Sequence, residues 1–378
     1  MYYANDVVEQ LRASKKIVIY GARIVANEVA NCLMSPPYNL HIDAFMVSDK
    51  EGNPDELVGI KVINVAEGIP YYKQATVIVA VLEKYEADIL GKLSILGFKN
   101  VISLTFESDL WSEIRGNYFK EKIESEGKEY LTLERELCKL TSDTNPSHLL
   151  TTSLYRAVCH VDRELQMDHS KYNWEKKIQV GAVLTDKRIA HIRDNTGNHI
   201  SEKNPCYCEL TALYWIWKND NVSNYAGLCH YRRHFKITEE EATKIAYSDI
   251  DAVLTIPILN FPSVKAAYVH DHAVKDWEIM LSAVDVLSPD YGDAARQVEA
   301  GNYYYAYNMF IARREIFDKY CEWLFPILEY CETHCEAKDD IYQSRYIGFL
   351  AERLLTIFFT KHWNEWKIVH GQKEFLKY

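Results

Sequence analysis

The sequence predicts an α/β protein, with an amino-terminal doubly wound parallel sheet of Rossmann-like type and a second α/β domain that ends in helices. Three observations carry this. Short apolar runs alternate with segments of helical spacing through residues 17–104. A glycine joins the first apolar run to the first helix. A chain of 378 residues, at about 150 per domain, has room for two domains.

In the first part, Lys15 and Lys16 precede the run Ile17-Val18-Ile19-Tyr20; Gly21 follows, and Val25, Ala26, Val29, Ala30 and Leu33 continue at helical spacing. A second strand over 41–47 ends at Ser48-Asp49, and a short one over 61–64 precedes a helix. The run 75–81 is apolar throughout, as a strand covered on both faces would be. A helix over 90–96 and a strand over 101–104 complete the unit, placed at residues 1–106. The segment resembles the small Rossmann-like domains at the amino termini of bacterial sugar-modifying enzymes. The three-glycine dinucleotide fingerprint falls on Gly21, Arg23 and Ala26, so only its first glycine is present. Gly21, Arg23 and Asp49 are the nucleotide-binding candidates here, with the Arg23 guanidinium as a phosphate ligand. A structural or docking role is the alternative.

Residues 107–150 are charge-rich, with Leu131, Leu133, Leu137 and Leu140 at helical spacing, and read as a helical connector bridging the domains. The turn formers Thr141-Ser142-Asp143-Thr144-Asn145-Pro146 mark the boundary. The second domain, 151–378, opens with a strand over 154–159 that ends at His160, followed by a strand-like run over 177–184. A polar loop over 193–204 carries Asp194, Asn195, Asn198, Ser201 and Asn204, which with His160 are candidates to bind donor or acceptor on one rim of the sheet. Asn204 fits an N-cap and Pro205 the first helical position of one helix reaching Asn219. The run Tyr225–Cys229 then reads as a buried strand leading into His230-Tyr231-Arg232-Arg233.

CELTALYWIWKN (208–219) followed by AGLCHYRRHF (226–235) resembles a family of bacterial capsule and exopolysaccharide biosynthesis proteins. Its domain, long of unknown function, is regarded as a glycosyltransferase of the GT-A type. AYNMFIARREIFDKYCEWLFPIL (306–328) and QSRYIGFLAERLLTIFF (343–359) match as well, so the resemblance spans about residues 151–370. It implies a GT-A-like α/β glycosyltransferase domain of hexosyltransferase type with a helical carboxyl-terminal part. It implies a nucleotide-sugar donor, a uridine-diphosphate sugar in the first instance, and a saccharide or lipid-linked saccharide acceptor. With the acceptor comes peripheral contact with the inner membrane face.

Such a transfer needs positive charge on the departing diphosphate. Here the strand before His230-Tyr231-Arg232-Arg233 ends in a cationic pair where an Asp-x-Asp metal site would be expected, and guanidinium forks suit phosphate oxygens. The alternative is Mn2+ or Mg2+ on Asp249 and Asp251, but these precede a strand and so belong to the wrong rim. His270 and His272 offer a base or an acceptor contact. Glu209 and Tyr231 fall within the matching motifs. Asn302 and Asn308, in an aromatic run, offer donors and acceptors to sugar hydroxyls. Arg345 and Glu352 stand two turns apart on an apolar helix over 340–361; a buried pair is the expectation, and an acceptor-facing Glu352 the alternative.

The net charge of −11 argues against nucleic acid as a partner. No apolar run reaches the roughly 20 residues of a membrane span, and the amino terminus has no basic segment followed by an apolar one, which predicts a cytoplasmic chain. The nine cysteines lack a Cys-x-x-Cys, and Cys206 and Cys208 beside His199 have the wrong spacing for a zinc knuckle. Two competing functions remain: a nucleotide-sugar oxidoreductase or epimerase using the first domain, and a non-catalytic scaffold of polysaccharide assembly.

Overall fold

The computed structural model describes residues 4–140, 150–165 and 175–376. The chain forms two compact units, Met1–Tyr130 and Leu131–Tyr378.

The first unit is a sheet of β1 (Ile17–Tyr20), β2 (Ala44–Val47), β3 (Glu56–Leu57), β4 (Ile60–Asn64), β5 (Thr76–Val79) and β6 (Asn100–Ser103), in the order β3-β4-β2-β1-β5-β6. All neighbours are parallel except β3, which forms a hairpin with β4. Every residue of β1, β2 and β5 is buried, because helices cover both faces. At Gly21 the chain takes φ +126°, and a Cβ would lie 2.5 Å from the Ala80 carbonyl oxygen, so only glycine fits this turn.

The second unit holds a ten-stranded sheet. Its members are β7 (Leu131–Thr132), β8 (Thr152–Val158), β9 (Lys176–Gln179), β10 (Ile192–Arg193), β11 (Tyr225–His230), β12 (Arg233–Phe235), β13 (Ala252–Thr255), β16 (Phe310–Arg313), β17 (Ile368–Gly371) and β18 (Lys373–Phe375). A two-stranded ribbon, β14 (Ile258–Leu259) with β15 (Tyr303–Tyr304), stands apart. The main order is β10-β9-β8-β11-β16-β13-β17-β7, parallel throughout except for β16. This is the mixed α/β sheet expected of the GT-A-like half. One face packs on the helices Leu210–Asn219, Arg314–His334 and Tyr346–Lys361 through a core that includes Leu228, Phe310, Phe317, Tyr320 and Phe358. The other face carries Leu154, Val253, Ile311 and Val369 beneath helices Leu133–Cys138 and Glu239–Ala246.

Several elements differ from the sequence reading. The helix Asp109–Ser125 packs in the first unit, where Tyr38 donates to the Ile114 carbonyl at 2.7 Å, while Leu131–Cys138 belongs to the second. The turn formers 141–146 lie outside the described residues. The run 177–184 is strand only as far as Gln179; Gly181 turns left-handed and Ala182–Leu184 forms a short 3-10 turn.

Candidate active site

β8 and β11 run parallel with Ala157 opposite His230, so their carboxyl ends open on the same rim. A cleft of about 490 Å³ lies there. His230, Tyr231, Arg232 and Arg233 line it from the β11–β12 turn, Asp162 from the turn after β8, Asn204, Cys208 and Glu209 from a second segment, and Arg345 from a third.

Glu209 reaches the cleft because the helix read as continuous from 204 to 219 is broken. A short helix Asn204–Tyr207 ends at Cys208, whose φ of +52° no helix accommodates, and a second helix begins at Leu210. Asn204 steadies the break, its Nδ2 donating to the Cys208 carbonyl at 2.7 Å. The apolar spacing of Leu210, Leu213 and Trp217 gives no sign of the interruption, so a single helix was expected. Asn204 is the first residue of the short helix, not its N-cap.

Behind the rim lies a buried polar cluster. Asn308 Nδ2 donates to Glu209 Oε1 at 2.7 Å and to the Gly348 carbonyl at 3.3 Å. His230 Nε2 donates to the Tyr307 carbonyl at 2.6 Å and lies 3.4 Å from Glu209 Oε1. Glu352 Oε1 accepts from the Tyr307 amide at 2.6 Å, and its Oε2 pairs with Arg353 at 2.7 Å. Tyr307 and Asn308 both have positive φ, 73° and 52°. The two glutamates and the asparagine therefore pin an unfavourable two-residue turn just before β16. Burial alone would raise the Glu209 carboxyl; His230 and Asn308 outweigh it and hold it down at about 2. At Glu352 burial prevails over Arg353 and the Tyr307 amide, so that carboxyl is raised. Two neighbouring carboxyls are thus driven in opposite directions.

The sequence reading paired Arg345 with Glu352. The structure gives Glu352 to Arg353 instead. The last helix begins at Tyr346, not near 340, which leaves Arg345 just before its first turn. Arg345 is exposed, lies over the Phe349 ring at 5.5 Å and donates Nε to Cys208 Sγ at 3.2 Å. The guanidinium of Arg233 stacks on the Tyr307 ring at 4.3 Å. The Arg232 carbonyl accepts from the Leu376 amide at 2.8 Å, which fixes the turn against the carboxyl-terminal strand.

Other candidates lie elsewhere. Asp194 is fully buried and accepts from the Gly181 and Ala182 amides at 2.8 and 3.0 Å and from Ser201 Oγ at 2.5 Å. Asp194 and Ser201 thus brace the loop after β9. Asn195 is half-buried beside Asp194, and Asn198 exchanges backbone bonds with the Asn219 side chain at the far end of helix Leu210–Asn219. His160 follows β8, with Nδ1 3.8 Å from Cys159 Sγ. His270 lies in the last turn of helix Val264–Asp271 and His272 is its C-cap, ahead of the next helix at Val274. His270 is exposed and paired with Asp271; His272 stacks on Phe349 at 4.3 Å and meets Gln343 at 3.1 Å. Asn302 caps the ribbon, its carbonyl accepting from the Asn260 amide. Asp249 and Asp251 precede β13 and bind Lys367 and Arg313, at the opposite rim from His230. In the first unit, Arg23 donates to the Gly52 carbonyl and Asp49 accepts from the Glu51 amide at 3.0 Å.

Two features escaped the sequence reading. Asp162 faces the cleft, and its Oδ2 accepts from the Cys159 amide at 2.6 Å; burial raises its carboxyl. The signal was an acid three residues past a strand end. Beneath the rim, Glu175, Cys229 and His234 bring metal-type donors within 4.8 Å of one another, but Arg156 stands 3.6 Å from the Glu175 carboxylate and already supplies the cation. No helix among the described residues is long and apolar enough to cross a membrane.

Residues 157–364 match the model of the family described as a domain of unknown function, DUF4422, and the chain belongs to that family. No curated protein matches the chain. Among solved structures it is similar to the apo structure of WbbM, a bifunctional glycosyltransferase, with 28% identity and a TM-score of 0.54 over 60% of this chain. The match covers 46% of WbbM, so it spans under half of that protein's length.

Proposed function

We propose that this member of the DUF4422 family is a glycosyltransferase that uses a nucleotide-sugar donor, with the diphosphate held in the cleft at the carboxyl ends of β8 and β11. The observation that carries this reading is the convergence of Arg232, Arg233 and Arg345 on one cleft that also holds a half-buried Glu209–His230 pair. Guanidinium groups neutralise diphosphate oxygens with fork geometry and leave one face to be stacked, as Arg233 is on Tyr307. The likeness to WbbM supports the same reaction class.

The donor class is a uridine-diphosphate hexose, and the acceptor a saccharide or lipid-linked saccharide of a surface polysaccharide. A peripheral approach to the membrane goes with a lipid-linked acceptor. The arginines carry the leaving-group charge without a metal. The placement of Asp249 and Asp251 on the far rim, tied to Lys367 and Arg313, supports that choice.

The full chain, incubated with uridine-diphosphate hexoses and oligosaccharide acceptors, should release uridine diphosphate and lengthen the acceptor by one residue, as read by mass spectrometry. Turnover of NAD(P) with a sugar nucleotide, and no lengthened saccharide, would favour the oxidoreductase reading.

A further inference from the structure

The hydrogen bonds around His230 specify more than its position. A carbonyl oxygen can only accept, so Nε2, 2.6 Å from the Tyr307 carbonyl, must carry a proton. Glu209, held ionised, lies 3.4 Å from the same nitrogen and is itself fixed by Asn308. In the neutral ring the lone pair is then on Nδ1. Among the described residues none is bonded to Nδ1, and the ring lines the cleft. Three acids from different segments, Glu209, Glu352 and Asp162, interact with His230, and the guanidinium groups of Arg232, Arg233 and Arg345 line the same cleft.

We infer that His230 Nδ1 is the proton acceptor for the incoming sugar hydroxyl, with Glu209, Asn308 and the Tyr307–Asn308 turn as positioning groups that fix its tautomer. The inference deepens the transferase reading and rests on it. In the step, the acceptor hydroxyl gives its proton to Nδ1, and its oxygen forms the new bond to the anomeric carbon. The bond from that carbon to the diphosphate oxygen breaks, and its electron pair leaves on the diphosphate. The imidazolium so formed keeps Nε2–H toward the Tyr307 carbonyl and the Glu209 carboxylate. Its extra proton then passes to solvent. The arrangement follows the general logic of a base oriented by a third group, with a carboxylate that stays ionised. It also explains the cost accepted at Tyr307 and Asn308. Positive φ at two consecutive non-glycine residues is unfavourable, and here it is what turns the Tyr307 carbonyl onto the imidazole.

The test uses the full chain labelled with 15N-histidine. Two-dimensional 15N–1H correlation of the imidazoles at alkaline pH should show His230, assigned by its loss in His230→Gln, as the Nε2–H tautomer. An Nδ1–H tautomer would overturn the inference whatever the activity. Glu209→Gln should lower kcat by about 10²–10⁴ while the KM for the sugar nucleotide changes less than threefold. Asn308→Ala should let the ring populate both tautomers and lower kcat in the same direction. Unchanged kcat in a folded Glu209→Gln would also overturn it. Should Glu209→Gln fail to fold, the wild-type spectrum still decides the tautomer and Asn308→Ala the kinetics. A chain with Nε2–H at His230 but no transfer to any saccharide would defeat the transferase reading, and the proton-acceptor role with it. An active chain with Nδ1–H would defeat only the inference.

Discussion

Two turns in this chain occupy the same kind of place, the carboxyl end of a buried parallel strand, and are filled in opposite ways. In the first unit the β1 turn closes on itself: Gly21 lies against the Ala80 carbonyl, and Arg23 spends its guanidinium on the Gly52 carbonyl. In the second unit the β11 turn opens on a cleft with arginines from two segments at its mouth. The first unit has a cavity of about 400 Å³ at the other end of its sheet, beside Lys15, Lys16, Ile17 and Asp43. Strand order alone therefore does not make a ligand rim. What decides is whether the strand end closes on backbone, as at Gly21, or presents charged side chains to an open cleft, as at His230–Arg233.

Among the arginines, the largest expected effect lies at the open cleft. Arg345→Ala and Arg232→Ala should each lower turnover roughly 10²–10³-fold, about 2.7–4 kcal/mol of transition-state stabilisation, with the denaturation midpoint close to wild type. Arg232→Lys should fall between, because the charge remains and the fork is lost. Loss of stability without loss of turnover in Arg345→Ala would return that residue to a structural role.

Next comes acid stability, which separates the two units. His370 on β17 is neutral in the fold: Nδ1 donates to the Leu131 carbonyl at 3.1 Å, and Nε2 accepts from Tyr305 at 2.9 Å. Burial lowers its pKa from 6.5 to about 4. Between these values the unfolded chain binds the extra proton. Stability is therefore complete above about pH 6.5 and falls as pH drops toward 4, by up to about 3 kcal/mol. Hydrogen exchange followed from pH 7 to 4.5 should show protection lost first in the second unit, and His370→Gln should flatten that dependence.

Gly21→Ala should cost at least about 1 kcal/mol, since a left-handed φ and a carbonyl at 2.5 Å leave no room for a methyl. Arg23→Ala should leave turnover unchanged. Weakened sugar-nucleotide binding in either variant would reopen the first unit as a donor site. The smallest effect is expected for Asp249→Asn, whose exposed carboxylate pairs with a Lys367 that keeps Glu136, a contribution of about 0–1 kcal/mol, with activity intact.

The alternation of the first unit was legible because each strand is short, apolar and bounded by turn residues, as 75–81 shows. The strand Tyr225–His230 and its arginines were legible for the same reason. The cluster behind them was not. Glu209 was named from its motif, but its setting depends on a left-handed Cys208, which no spacing rule predicts. Asn308 was read as a sugar ligand because its side chain offers both a donor and an acceptor; in the fold its donor goes to Glu209 and Gly348. Asp194 and Ser201 looked like ligands for the same reason that makes them good loop braces, since short polar side chains bond backbone amides as readily as hydroxyls. Arg345 and Glu352 share a helical face by spacing, yet a start at Tyr346 puts the arginine outside the helix and gives the glutamate to Arg353.

The central claim is that the arginine-lined cleft, and not the glycine turn, holds the donor diphosphate. The most direct measurement is isothermal titration of a uridine-diphosphate hexose into the full chain and its Arg345→Ala and Arg23→Ala variants, in buffer with EDTA. The account predicts binding to wild type and to Arg23→Ala with equal affinity, weakened at least tenfold in Arg345→Ala. Binding that is lost in Arg23→Ala and kept in Arg345→Ala, or that requires added Mn2+, would contradict it.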